Sequence, residues 1–178
     1  MSQLIRLDAG RFFMDDDRFT TAPDDDGVPP GDVIVSFIRF QTEAGALLAQ
    51  GRDVGVRVEA GQSIDDLAYD LPRIAVLALV FPKFGDGRAY TAARLARERY
   101  GFTGEIRAVG DVLREQAGFM VRCGFNAFAP ADGSTLEQWA AAASRFRHVY
   151  QRGADDREPA FVERGGVSVG GNHGLRRV

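Results

Sequence analysis

The run Ile74–Phe81, IAVLALVF, is apolar at every position. A strand with one wet face alternates polar and apolar residues, so an unbroken run reads as a strand buried on both faces or as the core of a helix. A doubly buried strand belongs to a parallel sheet, whose crossover connections are usually helices. The residues that follow fit this. Pro82, Lys83, Asp86, Gly87 and Arg88 come directly after the run, and a shorter run, Ile106–Val109, ends in Gly110 and Asp111. Two apolar runs that end in glycine-containing polar turns and then enter amphipathic helices read as consecutive βα units.

The same pattern recurs along the chain. Strands are expected at about Val33–Phe37, Val54–Val58, Ile74–Val80, Glu105–Val109 and Asn126–Ala129, all parallel in one sheet. Helices are expected over Thr42–Gln50, from Ser63 to just before Pro72, over Gly87–Tyr100, from an Asp111 N-cap to Cys123, and from Asp132–Ser134 to about Tyr150. Ahead of them, LIRL, RFFM and RFTT read as short strands around turns, and APDDDGVPPG (22–31) must be a loop. The expected organisation is one α/β domain over 1–150, in which 1–31 form an N-terminal β-hairpin and loop, with a loosely ordered tail over 151–178. The fold class is α/β with repeated βα units. The short spacings and the lack of a switch-point glycine fingerprint favour a partial (β/α) barrel, with an open doubly wound sheet as the alternative.

The chain has 178 residues, enough for one domain with a sizeable core. A net charge of -3 argues against a nucleic-acid binder that works by neutralising phosphates. One cysteine excludes an internal disulfide and fits a reducing cytosol. The N-terminus meets acidic residues too early for a signal peptide, and no apolar run nears the roughly 20 residues of a membrane span. A cytoplasmic protein without a membrane partner is expected. Lys83 is the only lysine, and the 21 other basic residues are arginines; genomic base composition explains this without a functional cause.

Between Phe81 and Phe128 stand Phe81-Pro82, Phe84, Asp86-Gly87-Arg88, Ala93-Arg94, Gly101-Phe102, Gly104 to Ala108, Gly110, Val112-Leu113, Gln116, Arg122 and Gly124-Phe125. On these residues the chain resembles the bacterial DUF934 family. Their combination is specific, although no single piece is, and the stretch covers rather more than a quarter of the chain. Thr91, Glu115 and Asn126 depart from the family pattern, where Ser, Asp and Asp are usual. Hydrogen-bonding capacity is preserved at all three positions, and Asn126 loses a negative charge. The resemblance implies a pathway, since members are described as probable oxidoreductases involved in sulfite reduction. It leaves the reaction open.

Ligands of parallel sheets and barrels bind where strands end and helices begin. That rule selects Asp86, Gly87 and Arg88. Gly85 and Gly87 would let the backbone take positive φ or approach a ligand closely. Arg88, just inside a helix, would offer donors to an anion such as sulfite, phosphate or a carboxylate. On the plainer reading, Asp86 caps the helix and Arg88 pairs with a neighbouring acid. Arg107 lies mid-strand, where it either pairs with Glu105, Glu59 or Asp86 or reaches the pocket mouth to converge with Arg88; Arg57 poses the same choice. Lys83 is a loop cation or, less ordinarily, a reactive amine. Asp111 completes the candidate binding set of Lys83, Gly87, Arg88, Arg107 and Asp111, with Asp86 as the candidate acid/base.

Cys123 would need a base to act as a nucleophile, and the only histidines are His148 and His173. Asp15–Asp17 and Asp24–Asp26 do not match calcium-loop spacing. One Cys and two His cannot build a zinc, haem or iron–sulfur ligand set. GGVSVGG precedes no helix, so no dinucleotide fingerprint is present. No cofactor is evident in the sequence, although a borrowed flavin or nicotinamide at the strand ends is not excluded. Two readings follow. One is an accessory protein of assimilatory sulfite reduction that binds a small anion or the sulfite reductase. The other is a barrel-type enzyme, an oxidoreductase by the family description, acting on a small anionic substrate.

Overall fold

In a computed structural model, residues 3–155 and 157–164 are described. They form one eight-stranded sheet from β1 (Gln3–Asp8), β2 (Arg11–Asp16), β3 (Thr20–Thr21), β4 (Val33–Ser36), β5 (Val54–Val58), β6 (Val76–Phe81), β7 (Glu105–Gly110) and β8 (Ala127–Phe128). Its order is β2-β1-β8-β7-β6-β5-β4-β3. From β3 to β8 every neighbouring pair is parallel, while β1 runs antiparallel to both β2 and β8. Strands consecutive in the chain are neighbours throughout β3 to β8, so the order never reverses. A doubly wound sheet needs such a reversal; here the sheet is a curled half-barrel carrying the antiparallel hairpin β1–β2.

Chain reach requires the curl. β2 and β3 lie at opposite edges of the sheet, seven strand spacings apart, which is roughly 34 Å if flat. Only Asp17, Arg18 and Phe19 connect them, and four residue steps span at most about 14 Å. The sheet must therefore bend its two edges toward each other, with Asp17–Phe19 crossing the concave side.

Side-chain alternation separates the two faces. Val33, Val35, Val54, Val56, Val58, Leu77, Leu79, Phe81, Ile106, Ala108, Phe128 and Ile5 pack in the main core with the helices. Ile34, Val76 and Ala78 point the other way and form a small cluster beneath Phe19. Both sides of β6 are thus covered, which is why Val76–Phe81 is buried at every position.

The connections differ from the sequence reading where local hydrogen bonding overrides periodicity. Ser36 accepts from the Arg39 N–H at 3.2 Å, so α1 (Phe37–Leu48) begins directly at the strand end, five residues before Thr42. The helix expected after Ser63 is instead two 3₁₀ turns, Ile64–Leu67 and Leu71–Arg73. Pro72 lacks the N–H that a continuous helix would use there. α2 (Arg88–Arg94) continues as a π-helical turn, Leu95–Arg99, in which Tyr100 N donates to Leu95 O. α3 (Ala117–Arg122) follows a 3₁₀ turn at Arg114–Gln116.

α4 (Leu136–Ala143) stops well before Tyr150, with the Ser144 hydroxyl donating to Ala140 O at 2.8 Å. The segment after 150, expected to be loose, is tied back as far as it is described. Arg122 Nη1 pairs with Asp155 at 2.9 Å, Ala154 N donates to Arg122 O, Val149 bridges to Pro159, and α5 (Ala160–Arg164) follows. GGVSVGG and His173 lie outside the described residues. Among the described residues no helix is long and apolar enough to cross a membrane.

Candidate functional site

At the C-terminal ends of β5 and β6 lies a cleft of about 340 Å³. The loop after β5 supplies Glu59, Gly61, Gln62 and Ser63 to its wall, and α2 supplies Arg88 and Thr91. Val58 and Leu79 belong to its apolar lining. Gly61 has φ +107°, a backbone conformation that L side chains avoid, and a Cβ there would lie 3.3 Å from Arg88 Nη1. The turn lets the guanidinium lie across the loop, where Nη1 donates to Ala60 O at 3.3 Å.

Asp86 sets the orientation of Arg88. Its carboxylate accepts from Arg88 Nε at 3.0 Å and from Nη2 at 2.5 Å, a two-pronged pairing, and it also accepts from the Arg88 backbone N–H at 3.1 Å. Both expected roles thus coincide in one residue, which takes an N–H at the helix start and holds the guanidinium. The hydrogen bonds from the Arg88 side chain, then its backbone N–H, pull the Asp86 carboxyl down to about 2, and the Lys83 charge adds to the effect. Asp86 is therefore held as a carboxylate throughout the neutral range and stores no proton for acid catalysis. Arg88 stays 60% exposed on its side chain, so its remaining donors face the cleft and solvent.

The other expected residues part company. Gly87 sits at φ −90°, and neither it nor Gly85 takes positive φ. Lys83 is exposed, and its carbonyl accepts from Asp86 N at 2.9 Å. Asp111 does not cap a helix: its Oδ2 accepts from Phe84 N at 2.8 Å, while Gln116 Nε2 donates to Phe84 O at 3.2 Å. These two bonds pin the loop that carries Lys83 and Asp86. Gly110, at φ +94°, lets the backbones of β6 and β7 touch; a Cβ there would lie 2.4 Å from Phe81 O.

Arg107 does not converge with Arg88. Its side chain is 3% exposed and lies on the concave side of the sheet. There it donates from Nε to Glu105 Oε1 at 2.6 Å and from Nη1 and Nη2 to Asp17 at 2.8 and 3.0 Å. Glu105 also meets Arg6 Nη1, and Arg6 Nε lies 2.8 Å from Asp15 Oδ2. The result is a chain of alternating charge, Asp15–Arg6–Glu105–Arg107–Asp17, that pins the crossing segment to the sheet. Burial leaves Arg107 no freedom to reach the strand ends. Arg57 pairs with Glu59 at 2.8 Å.

Cys123 is buried, and burial pushes its thiol up to about 11, which suits a packing residue. His148 meets Glu163 at 2.6 Å. Asp15 and Asp17 serve arginines, and among the described residues no group of three or more His, Cys, Asp or Glu side chains converges as a metal site. Asn126 shows why the loss of charge is tolerated: its amide oxygen accepts from Ile106 N at 2.7 Å, and an acceptor is all that bond needs.

The sequence reading missed the half of the cleft supplied by the loop after β5. It also missed Arg97, a half-buried arginine donating to the carbonyls of Gly124, Phe102 and Gly104 at 3.0, 2.6 and 2.8 Å. Its burial lowers the guanidinium to about 10. Arg6 was visible as the polar member of LIRL, but no local pattern names its partners.

The family model for DUF934, described as a bacterial protein of unknown function, matches residues 55–161. The chain belongs to the DUF934 family. The matched span runs from β5 into α5, and so takes in the cleft, the Asp86–Arg88 pair and Arg97. No curated protein matches this DUF934 chain.

Proposed function

We propose that this DUF934 protein is a non-catalytic accessory of assimilatory sulfite reduction, acting in the cytoplasm, and that it binds a small anion or an acidic group of the sulfite reductase at the Arg88 cleft. The sulfite pathway enters only through the resemblance drawn from the sequence, since the matched family model is described as of unknown function, and the mode of action enters through the site. The observation that carries the reading is the Asp86–Arg88 pair. A general acid or base works best with a pKa near neutrality; Asp86, held at about 2, has no proton to give and is a weak base. What the pair offers instead is a fixed, exposed guanidinium at the rim of a strand-end cleft, with Ser63, Gln62 and Thr91 beside it. An oxyanion or carboxylate entering there would gain charge-assisted hydrogen bonds and share or displace the Asp86 carboxylate.

The test is purification with the sulfite reductase, scored for a complex by size-exclusion chromatography and for altered sulfite turnover. A complex lost in Arg88→Ala supports the proposal. Sulfite turnover by the isolated chain, or a yellow preparation with stoichiometric flavin, would replace it with the enzyme reading.

A further inference from the structure

β2 is one of the two edge strands of the half-barrel, opposite β3. Among the described residues its only ladder is to β1, and five of its six residues are exposed. Phe13 is 40% and Met14 44% exposed, so the strand offers apolar side chains along with unpaired backbone groups. Such an edge is a template for another strand. We infer that the partner is a second copy of this chain, joined through β2 against β2 in an antiparallel, two-fold pairing that extends the sheet across the dimer.

The register carries this inference. A two-fold normal to the sheet keeps concave side with concave side, so the numbers of directly opposed residues must sum to an even value. With Phe13 on the axis, Phe13 faces itself, Phe12 faces Met14 and Arg11 faces Asp15. Apolar meets apolar and cation meets anion from Arg11 to Asp15, while Asp16 falls opposite Gly10 of the hairpin turn. Moving the axis by one residue to Met14 sets Phe13 against Asp15 and Phe12 against Asp16, and moving it to Phe12 sets Arg11 against Phe13. Only the Phe13 register is complementary to itself. Arg11 has no carboxylate partner among the described residues, whereas every cation of the concave-side network has one. In this register Arg11 gains Asp15 of the second copy.

The test uses the full chain. Sedimentation equilibrium is expected to show a dimer, and Phe13→Lys a monomer with an unchanged circular dichroism spectrum. Phe13→Cys is expected to form a disulfide-linked dimer on oxidation, because opposed Cβ atoms lie about 5 Å apart across such a pair and a disulfide needs little adjustment from there. Met14→Cys alone is expected not to cross-link, and the native Cys123 is buried. A monomeric wild type, a dimer that survives Phe13→Lys, or cross-linking by Met14→Cys in place of Phe13→Cys would each overturn the inference.

Discussion

The molecule uses the same chemistry, arginine against carboxylate, in two places with opposite consequences. On the concave side, Arg107 is 3% exposed and bound on both sides by Glu105 and Asp17. At the strand ends, Arg88 is 60% exposed and bound on one side by Asp86. The first arrangement consumes every donor of its guanidinium that the fold can reach, and its role is to hold the chain crossing in place. The second fixes the guanidinium and leaves part of it open. Burial, more than residue type, separates a structural ion pair from a site.

Removing one member of each pair should make that contrast measurable. Arg107→Met is expected to have the largest effect, since it strands Asp17 and part of Glu105 out of water. Breaking a buried pair in this way costs about 3–5 kcal/mol. Urea denaturation measures it, and adding Asp17→Leu to Arg107→Met should recover much of the loss, because Glu105 keeps Arg6. If Arg107→Met is as stable as wild type, the network is not what pins the crossing segment. Arg97→Ala comes next, at about 2–3 kcal/mol, because three carbonyls lose their donor together.

Cys123 sharpens the comparison from the side of a neutral group. Its thiol is raised by burial to about 11. A raised pKa favours the protonated form in the folded state, so its contribution is complete below the ordinary thiol value and is lost as pH rises through it toward the folded one. Stability is expected to fall by about 1 kcal/mol between about pH 8 and about pH 10, once the unfolded thiol ionises. Chemical denaturation at the two pH values measures the loss, and Cys123→Ala should abolish that component. An unchanged slope in Cys123→Ala would show that other groups carry it.

How much of this was legible from the residues follows the range of the interactions. Val54–Val58 was located to the residue, and the unbroken run before Pro82 announced a parallel sheet, because alternation and burial are written locally. The strand-end rule led to Asp86 and Arg88, whose hydrogen bonds span two residues. Arg107 reads equally as a partner of Glu105, which it is, or as a residue at the strand ends. Its second partner Asp17 lies 90 residues away, inside a run of aspartates that reads as a solvated loop, so the residues alone do not decide between the two. Asp111 was misread because an aspartate ahead of a helix looks the same whether it caps that helix or accepts from Phe84, 27 residues back. The Gly61–Ser63 wall of the cleft had no signal of its own, since it becomes a wall only when β5 and β6 pair.

The smallest effect on folding belongs to the strand-end pair, and there the comparison turns from stability to binding. Arg88 faces solvent while Asp86 is 16% exposed on its side chain, so Arg88→Ala should lower the denaturation midpoint only slightly. Asp86 is depressed to about 2. A depressed carboxylate contributes above its unfolded value and loses that contribution only as pH falls through the folded one. Sulfite or phosphate titrated between neutrality and about pH 4 should therefore meet the same charged pair throughout. In that window Arg88→Ala is expected to weaken anion binding roughly tenfold to a hundredfold, the worth of a charge-assisted hydrogen bond. Asp86→Asn should do the reverse, because it removes the carboxylate that competes with the anion while Ala60 O still holds Nη1. Calorimetric titration of the three proteins decides the matter. If Asp86→Asn and Arg88→Ala weaken binding equally, the carboxylate is needed to aim the guanidinium. If neither changes it, the pair only starts α2 and the anion binds elsewhere.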